Sequence, residues 1–192
     1  MIRLATVDDA ASIQAIYAPF CLTSPITFET EAPTIEQMLS RITKLQQQYP
    51  WLVYDSNGKV LGYAYAAPHH ERAAYQWSVN VSVYIHESAR RMGIGKSLYT
   101  ALFEILKLQG YYNAYALVTQ PNIPSMRLHE SLGFEYAGIY KNAGYKCGEW
   151  HDVIWLGLML QPVAPNPQPP TSIKEFYNSQ EFSMVGIAHR TT

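Results

Sequence analysis

Apolar positions follow a helical period in the first quarter of this 192-residue chain, then a strand period, then alternate between the two. "MIRLAT" reads as a short first strand. "TVDDAASIQAIYAPF" sets Ala10, Ile13, Ile16 and Tyr17 near helical spacing behind Thr6, a candidate N-cap, with acids in the first turn. "CLTSPITFETEAPT" is a proline-punctuated loop. "TIEQMLSRITKLQQQYP" predicts a second amphipathic helix, capped by Thr34, with Ile35, Met38, Leu39, Ile42 and Leu45 on one stripe. The period then shortens. "WLVYDSNGKVLGYAYAAP" is two β-rich runs joined at "DSNG", a hairpin signal, and "YQWSVNVSVYIH" is a third long strand. "GIGKSLYTALFEILKLQGY" predicts a helix stopped by Gly110. "YNAYALVT" is a strand, "PNIPSMRLHESLGF" a loop and short helix, and "EYAGIYKNAGYKCGEWHDVIWLGLML" a final pair of strands with a turn-rich middle. Seven strands and four helices in this order predict an α+β fold around one mixed central sheet.

After Leu160 the pattern stops. "QPVAPNPQPPT" is a proline-rich, semi-rigid linker, so residues 1–160 are read as the domain and 161–192 as linker and tail. The tail is expected either to be loose or to dock on a neighbouring surface. A net charge of −1 gives no basic field for nucleic acid or an anionic membrane. No run approaches the ~20 apolar residues of a membrane helix. The charged start "MIRLATVDDA" is unlike a secretory signal. Cys21 and Cys147 form no disulfide framework and no zinc-ligand pattern, and no metal is expected. A cytoplasmic protein is the default reading. Fifteen tyrosines and four tryptophans predict an aromatic core and self-association surface.

"RRMGIGKSL" stands between a strand and a helix. The N–H groups at a helix start lack partners, and the helix dipole makes that end slightly positive. Gly93 and Gly95 let the backbone approach an anion, and Arg90, Arg91 and Lys96 add charge. The stretch is neither a GxxxxGK[ST] loop nor a GxGxxG fingerprint, because Leu98 occupies the third glycine position. A phosphate cradle and a plain tight turn are both open on this stretch alone.

The wider pattern is more specific. "VSVYIHESARRMGIG" followed by "ALVTQPNIPSMRLHESLGF" resembles the GNAT superfamily of acetyl-CoA-dependent N-acetyltransferases. "YPWLV", "GYAYAAP", "AYQW", "SVYIH", "SLYTAL", "PNIPSMRLHESLGF" and "AGYKCGEWHDV" resemble its phosphinothricin N-acetyltransferase-like family, over nearly the whole span from Ile2 to Leu160. The resemblance implies acetyl-CoA as cosubstrate. It implies that the backbone of Arg91, Met92, Gly93, Ile94, Gly95 and Lys96 cradles the coenzyme A pyrophosphate. It implies that Val83, Tyr84 and Ile85 pair with the pantetheine arm as a strand would, beside a bulge that splays the sheet. Asn122 and Ser125 match positions that contact the arm, with helix capping as the other reading for Asn122. A small-molecule amine or amino acid is the implied acceptor. The region around Lys146, Trp150, His151 and Asp152 lies where such enzymes pair as homodimers.

Amine acetylation needs a deprotonated amine, donors for the tetrahedral oxyanion, and a proton or charge partner for the thiolate. A main-chain N–H near Val83 would serve the oxyanion. By the resemblance, His129 takes the column where relatives hold the thiolate's acid, and packing is its other reading. The strand position that carries a glutamate in the family reads Asn80, in "SVN". A neutral amide cannot accept a proton. The replacements are Glu29 in "TFETE", a water relay oriented by Asn80, the histidines His86, His69 or His70, or no base at all. Arg72 is the candidate for an acceptor carboxylate, with Phe28, Tyr75, Trp77 and Tyr145 as candidate pocket walls. Phosphinothricin enzymes often read "NFRTE" where this chain reads "TFETE". The exchange removes a cation and points to a zwitterionic amino acid or amine rather than a dianion. An acetyl-CoA sensor without turnover and a protein acetyltransferase are the alternatives.

Overall fold

The computed structural model describes residues 1–179 and 187. Along the described chain run β1 (Ile2–Leu4), α1 (Ala10–Thr23), α2 (Ile35–Leu45), β2 (Trp51–Ser56), β3 (Lys59–Pro68), β4 (Ser78–Ile85), α3 (Ile94–Gln109), β5 (Asn113–Thr119), α4 (Ile123–Glu130), β6 (Glu135–Lys146), β7 (Glu149–Met159) and α5 (Ile173–Tyr177). The strands form one mixed sheet in the order β1-β2-β3-β4-β5-β7-β6. This is the α+β architecture that the apolar periods predict, with α5 added in the aperiodic tail.

Local chemistry accounts for most of these boundaries. Thr34 caps α2 by accepting from the N–H of Gln37. Asn57 and Gly58 have φ of 53° and 84°, the left-handed pair a tight hairpin needs, and the N–H of Gly58 donates to Asp55 Oδ1. Gly110 ends α3 at φ 94°. One boundary differs from expectation. Helix α1 runs through Pro19 to Thr23 instead of giving way to loop at Cys21. The added turn buries Cys21, and the hydroxyls of Thr23 and Ser24 donate to the carbonyls of Pro19 and Phe20.

Strand alternation then builds two layers. Val79, Val81, Ala114 and Ala116 pack with Leu98, Leu102 and Leu106 of α3. Val53 and Tyr63 pack with Ile13 of α1 and Ile42 of α2 on the other face. At the sheet edge, Arg3 is buried and forks onto Asp9, at 2.7 and 2.9 Å, while its Nε donates to Asp55.

Two tertiary features matter for function. Strands β4 and β5 are parallel and paired only at Ser78–Asn80, against Asn113–Tyr115. Beyond Asn80, β4 follows β3 to Ile85, while β5 follows β7 to Thr119, so the sheet parts. The expected bulge is not what parts it. The β3–β4 register runs unbroken from Gly62↔Ile85 to Pro68↔Val79, and the two strands diverge because each stays with its antiparallel neighbour. Second, the described tail docks. Gln161 reaches the carbonyls of Lys107 and Tyr111, Thr171 N–H donates to Gln109, and Ile173 and Phe176 are buried against the α3 layer.

Candidate active site

The parting of β4 from β5 leaves main-chain groups without strand partners. The N–H of His86 donates to the carbonyl of Leu61, which puts even-numbered residues of β4 in the ladder with β3. Alternation directs the N–H and C=O groups of Val81, Val83 and Ile85 toward the gap. Tyr84 is different from its neighbours here. Its main chain faces Tyr63 of β3, and its ring is packed among Tyr17, Phe20 and Tyr63. Of the three residues expected to pair with a ligand arm, Val83 and Ile85 are therefore available, and Val81 joins them.

One end of β4 leads to the start of α3. Gly93 is the N-cap with φ 79°, and Arg91 also has a positive φ, 63°. A Cβ at Gly93 would meet nothing within 4 Å, whereas one at Gly95 would come within 3.2 Å of Leu128. The first glycine leaves open space over the helix start, and the second lets α3 lie close to α4. Ile94 is buried, so its main chain alone faces the loop. Arg91, Met92 and Lys96 are exposed, and Arg90 lies over the ring of Phe20 at 5.6 Å. Open N–H groups, a positive dipole end and flanking cations fit a diphosphate.

The far wall of the gap is β5 and α4. Val81–Tyr84, Tyr99, Ala116–Thr119, Asn122, Ser125 and His129 line it. Asn122 caps α4 by accepting from the N–H of Ser125, so the capping reading holds while the residue also faces the gap. His129 is buried. Its Nδ1–H donates to the Ser125 carbonyl at 2.8 Å, and Nε2 lies 3.3 Å from the Tyr99 hydroxyl. With Nδ1 protonated, Nε2 is an acceptor, and the O–H in that contact belongs to Tyr99. Burial holds the His129 pKa below its ordinary value despite the bond to Ser125. Tyr99 was not legible as a site residue, because its position on an apolar helix stripe reads as core.

Asn80, the last paired residue before the gap, faces the α1/α2 side, since Val79 and Val81 face α3. Its Oδ1 is 3.0 Å from Nδ1 of His69. His69 stacks on Tyr115 at 4.4 Å and meets Tyr75 and Trp155 edge-on. His70 lies beside Tyr75, and His86 caps a helical turn by accepting from the N–H of Ser88. Arg72 is exposed; its carbonyl accepts from the N–H of Tyr75, while its guanidinium has no polar partner among the described residues.

The α1–α2 loop covers this face. Glu29 is clamped by Arg41 at 2.7 and 2.9 Å and accepts from the Tyr17 hydroxyl at 2.9 Å. Burial works to raise the Glu29 pKa, but the bonds from Arg41 and Tyr17 outweigh it and the net shift is downward. Its carboxylate is an ionised anchor. Buried Lys146 reaches the loop from β6 and donates to the carbonyls of Phe20, Thr27 and Glu29. Phe28 lies against Gly144, where a Cβ would meet its ring at 2.5 Å.

Two expected pocket walls stand elsewhere. Trp77 donates from Nε1 to the carbonyl of Gln168 at 2.8 Å, holding the tail. Tyr145 is 61% exposed and packs edge-on against Trp150 at the end of the β6–β7 hairpin. Among the described residues, no cluster of three His, Cys, Asp or Glu side chains could hold a metal.

Comparison with known proteins agrees with this geometry. The acetyltransferase (GNAT) domain family matches residues 2–155. The chain is 40% identical over 172 residues to the phosphinothricin N-acetyltransferase of Streptomyces viridochromogenes, covering 89% of this chain and 94% of that one. It is 34% identical to the L-methionine sulfoximine/L-methionine sulfone acetyltransferase of Pseudomonas aeruginosa, over 86% of this chain and 98% of that one. The crystal structure of a GNAT superfamily phosphinothricin acetyltransferase from Sinorhizobium meliloti in complex with acetyl-CoA superposes with a TM-score of 0.83 at 32% identity. That match covers 90% of this chain and 97% of the other. The fold and the parted strands beside a helix start define an acetyl-CoA-dependent N-acetyltransferase. Within that class the chain belongs to the phosphinothricin N-acetyltransferase-like family of the GNAT superfamily.

Proposed function

We propose that the enzyme acetylates the amine of a small zwitterionic amino acid or amino-acid analogue by direct attack in a ternary complex. The observation that carries this reading is the gap that opens at Asn80 and runs beside the start of α3, where the N-cap Gly93 has no side chain to cover the N–H groups. Acetyl-CoA supplies the acetyl group as a thioester. The main chain from Arg91 to Lys96 holds the diphosphate, and Val81, Val83 and Ile85 pair with the arm. A β4 N–H at the gap receives the oxyanion. The Tyr99 proton is taken up in the contact with His129, so the departing sulfur takes its proton from the attacking nitrogen.

On the acceptor side, Arg41 is committed to Glu29, which leaves Arg72 as the guanidinium for a carboxylate. Phe28 and Tyr75 wall that side. The names of the relatives, acting on phosphinothricin and methionine sulfoximine, support an amino-acid-like acceptor. With Arg41 paired to Glu29, the single guanidinium of Arg72 favours an acceptor that is not doubly negative. The enzyme works in the cytoplasm, where acetyl-CoA is made, and as a homodimer. Exposed Tyr136 and Tyr140 on the edge strand β6, with Tyr145 and Trp150 at its tip, support self-association.

The test is release of free coenzyme A thiol by the purified chain with acetyl-CoA and a panel of the twenty amino acids, phosphinothricin and methionine sulfoximine. Turnover with at least one carboxylate-bearing amine, and a raised KM for it in Arg72→Ala, is expected. Acetyl-CoA binding with silence across the panel would replace an enzyme by a sensor. Sedimentation at micromolar concentration is expected to give twice the chain mass of 21.8 kDa.

A further inference from the structure

We propose that His69 is the general base that deprotonates the acceptor amine, and that Asn80 is the residue that positions it. The inference rests on the acetyltransferase reading above and deepens it. Asn80 stands where the strands part, so a group beside it on the α1/α2 face lies at the head of the gap. A neutral amide cannot take up a proton, but its Oδ1 can hold one in place. Because Oδ1 only accepts, the 3.0 Å contact assigns the ring proton to Nδ1 of His69. The neutral imidazole then carries its lone pair on Nε2, which makes no hydrogen bond to a described residue.

The ring is held in that pose from several sides. The β3–β4 ladder ends at Pro68↔Val79, and the chain turns so that His69 comes back over Asn80. Tyr115 stacks on the ring at 4.4 Å, while Trp155 and Tyr75 meet its edges at 5.9 and 5.6 Å. Asn80 from β4 and Trp155 from β7 are uncharged, and Tyr115 from β5 and Tyr75 from the following turn are the titratable groups that face it. No carboxylate contacts it, so a proton on Nε2 is not trapped there.

The other described candidates are engaged. Glu29 is clamped by Arg41 and Tyr17, and His86 by Ser88. His129 is held between Ser125 and Tyr99, and His151 between the carbonyls of Gln120 and Lys146. His70 is exposed, with the ring of Tyr75 as its described contact.

The step balances as follows. The acceptor arrives as an ammonium, and Nε2 takes one proton to give imidazolium. The freed nitrogen pair forms the C–N bond at the thioester carbonyl carbon, and the carbonyl π pair moves to oxygen. Collapse breaks the C–S bond. Sulfur leaves with the bonding pair and takes a second proton from nitrogen, giving amide and coenzyme A thiol. The imidazolium returns its proton to water, so one proton is released per turnover.

Four measurements on the full-length protein test this. Nitrogen NMR of labelled histidines is expected to show His69 protonated at Nδ1 with Nε2 bare, and the opposite tautomer would overturn the proposal. In His69→Phe, which keeps the stack on Tyr115, kcat is expected to fall on the order of 100-fold or more with the acetyl-CoA Kd unchanged. Free imidazole should restore part of the rate in His69→Gly. Asn80→Asp should move the acid limb of kcat/KM to higher pH, because a carboxylate beside Nδ1 stabilises imidazolium. A His69→Phe enzyme within threefold of wild type, or an acid limb unmoved by Asn80→Asp, sinks the dyad alone. A wild-type chain silent across the whole amine panel sinks the acetyltransferase reading, and the dyad with it.

Discussion

Single buried charges do much of the positioning in this molecule. Lys146 is buried, yet its ammonium satisfies one carbonyl of α1, at Phe20, and two of the α1–α2 loop, at Thr27 and Glu29, so a strand side chain fixes that loop against the helix. In Lys146→Met those carbonyls lose a charged donor. The expected cost is about 2 kcal/mol of stability, with a several-fold rise in acceptor KM and little change for acetyl-CoA, read by urea denaturation and steady-state kinetics. Arg3 and Asp9 make the second such site. Burial acts to raise the Asp9 pKa, but the hydrogen bonds from Arg3 and Thr6 win and lower it. The folded state therefore holds the carboxylate more strongly than the unfolded chain does. Its contribution is full above the ordinary aspartate pKa, about 3.9, and is lost as pH falls below that through the folded value. Asp9→Asn strips a buried guanidinium of its main partner and is expected to cost about 3 kcal/mol at pH 7. It should also flatten the loss of stability below pH 4, measured as urea midpoints at pH 7 and pH 3.

At the scale of elements, the proposed cofactor site is made of ends and edges. The start of α3 offers N–H groups, and the edge of β4 offers the rest. Gly93 holds φ 79° with open space where a Cβ would be, so a substitution there strains the backbone without a collision. Gly93→Val is expected to fold and to raise the acetyl-CoA Kd about tenfold, by isothermal titration. A β-branched residue disfavours the left-handed region by about 1–2 kcal/mol. The glycine loop, the hairpin turn and the α2 cap were legible in the sequence because each is local chemistry. The engaged state of Glu29 was not, since Arg41 lies twelve residues away on another element.

Across the whole molecule, the tail and the site use opposite ends of one helix. Gly93 starts α3 beside the gap between β4 and β5, while Gln109 near its end bonds the carbonyls of Gln48 and Thr171 and ties the tail to the domain. Removing residues 161–192 uncovers the surface that Ile173 and Phe176 bury. Two such side chains account for about 4 kcal/mol, so the melting temperature is expected to fall by about 10 °C. Acetyl-CoA affinity per folded molecule should stay within about twofold. A large affinity loss in the truncated chain would mean that the tail reaches the gap.

The order of the seven strands and first four helices, the α+β class and the glycine turn at the start of α3 follow from the sequence alone. Periodicity and turn chemistry act over a few residues, and "DSNG", Thr34 and "GIG" each satisfy their own neighbours. Tertiary structure alone decided the rest. The parting of β4 from β5 comes from competition between strand partners, and no single strand encodes it. The docking of the proline-rich tail depends on Trp77 and Gln109, far away in the chain. The contact of His69 with Asn80 depends on the β3–β4 register and on where its ladder stops. By the family resemblance, Asn80 stands at a glutamate position without its charge. In the folded protein it is an acceptor that sets the tautomer of a histidine eleven residues earlier.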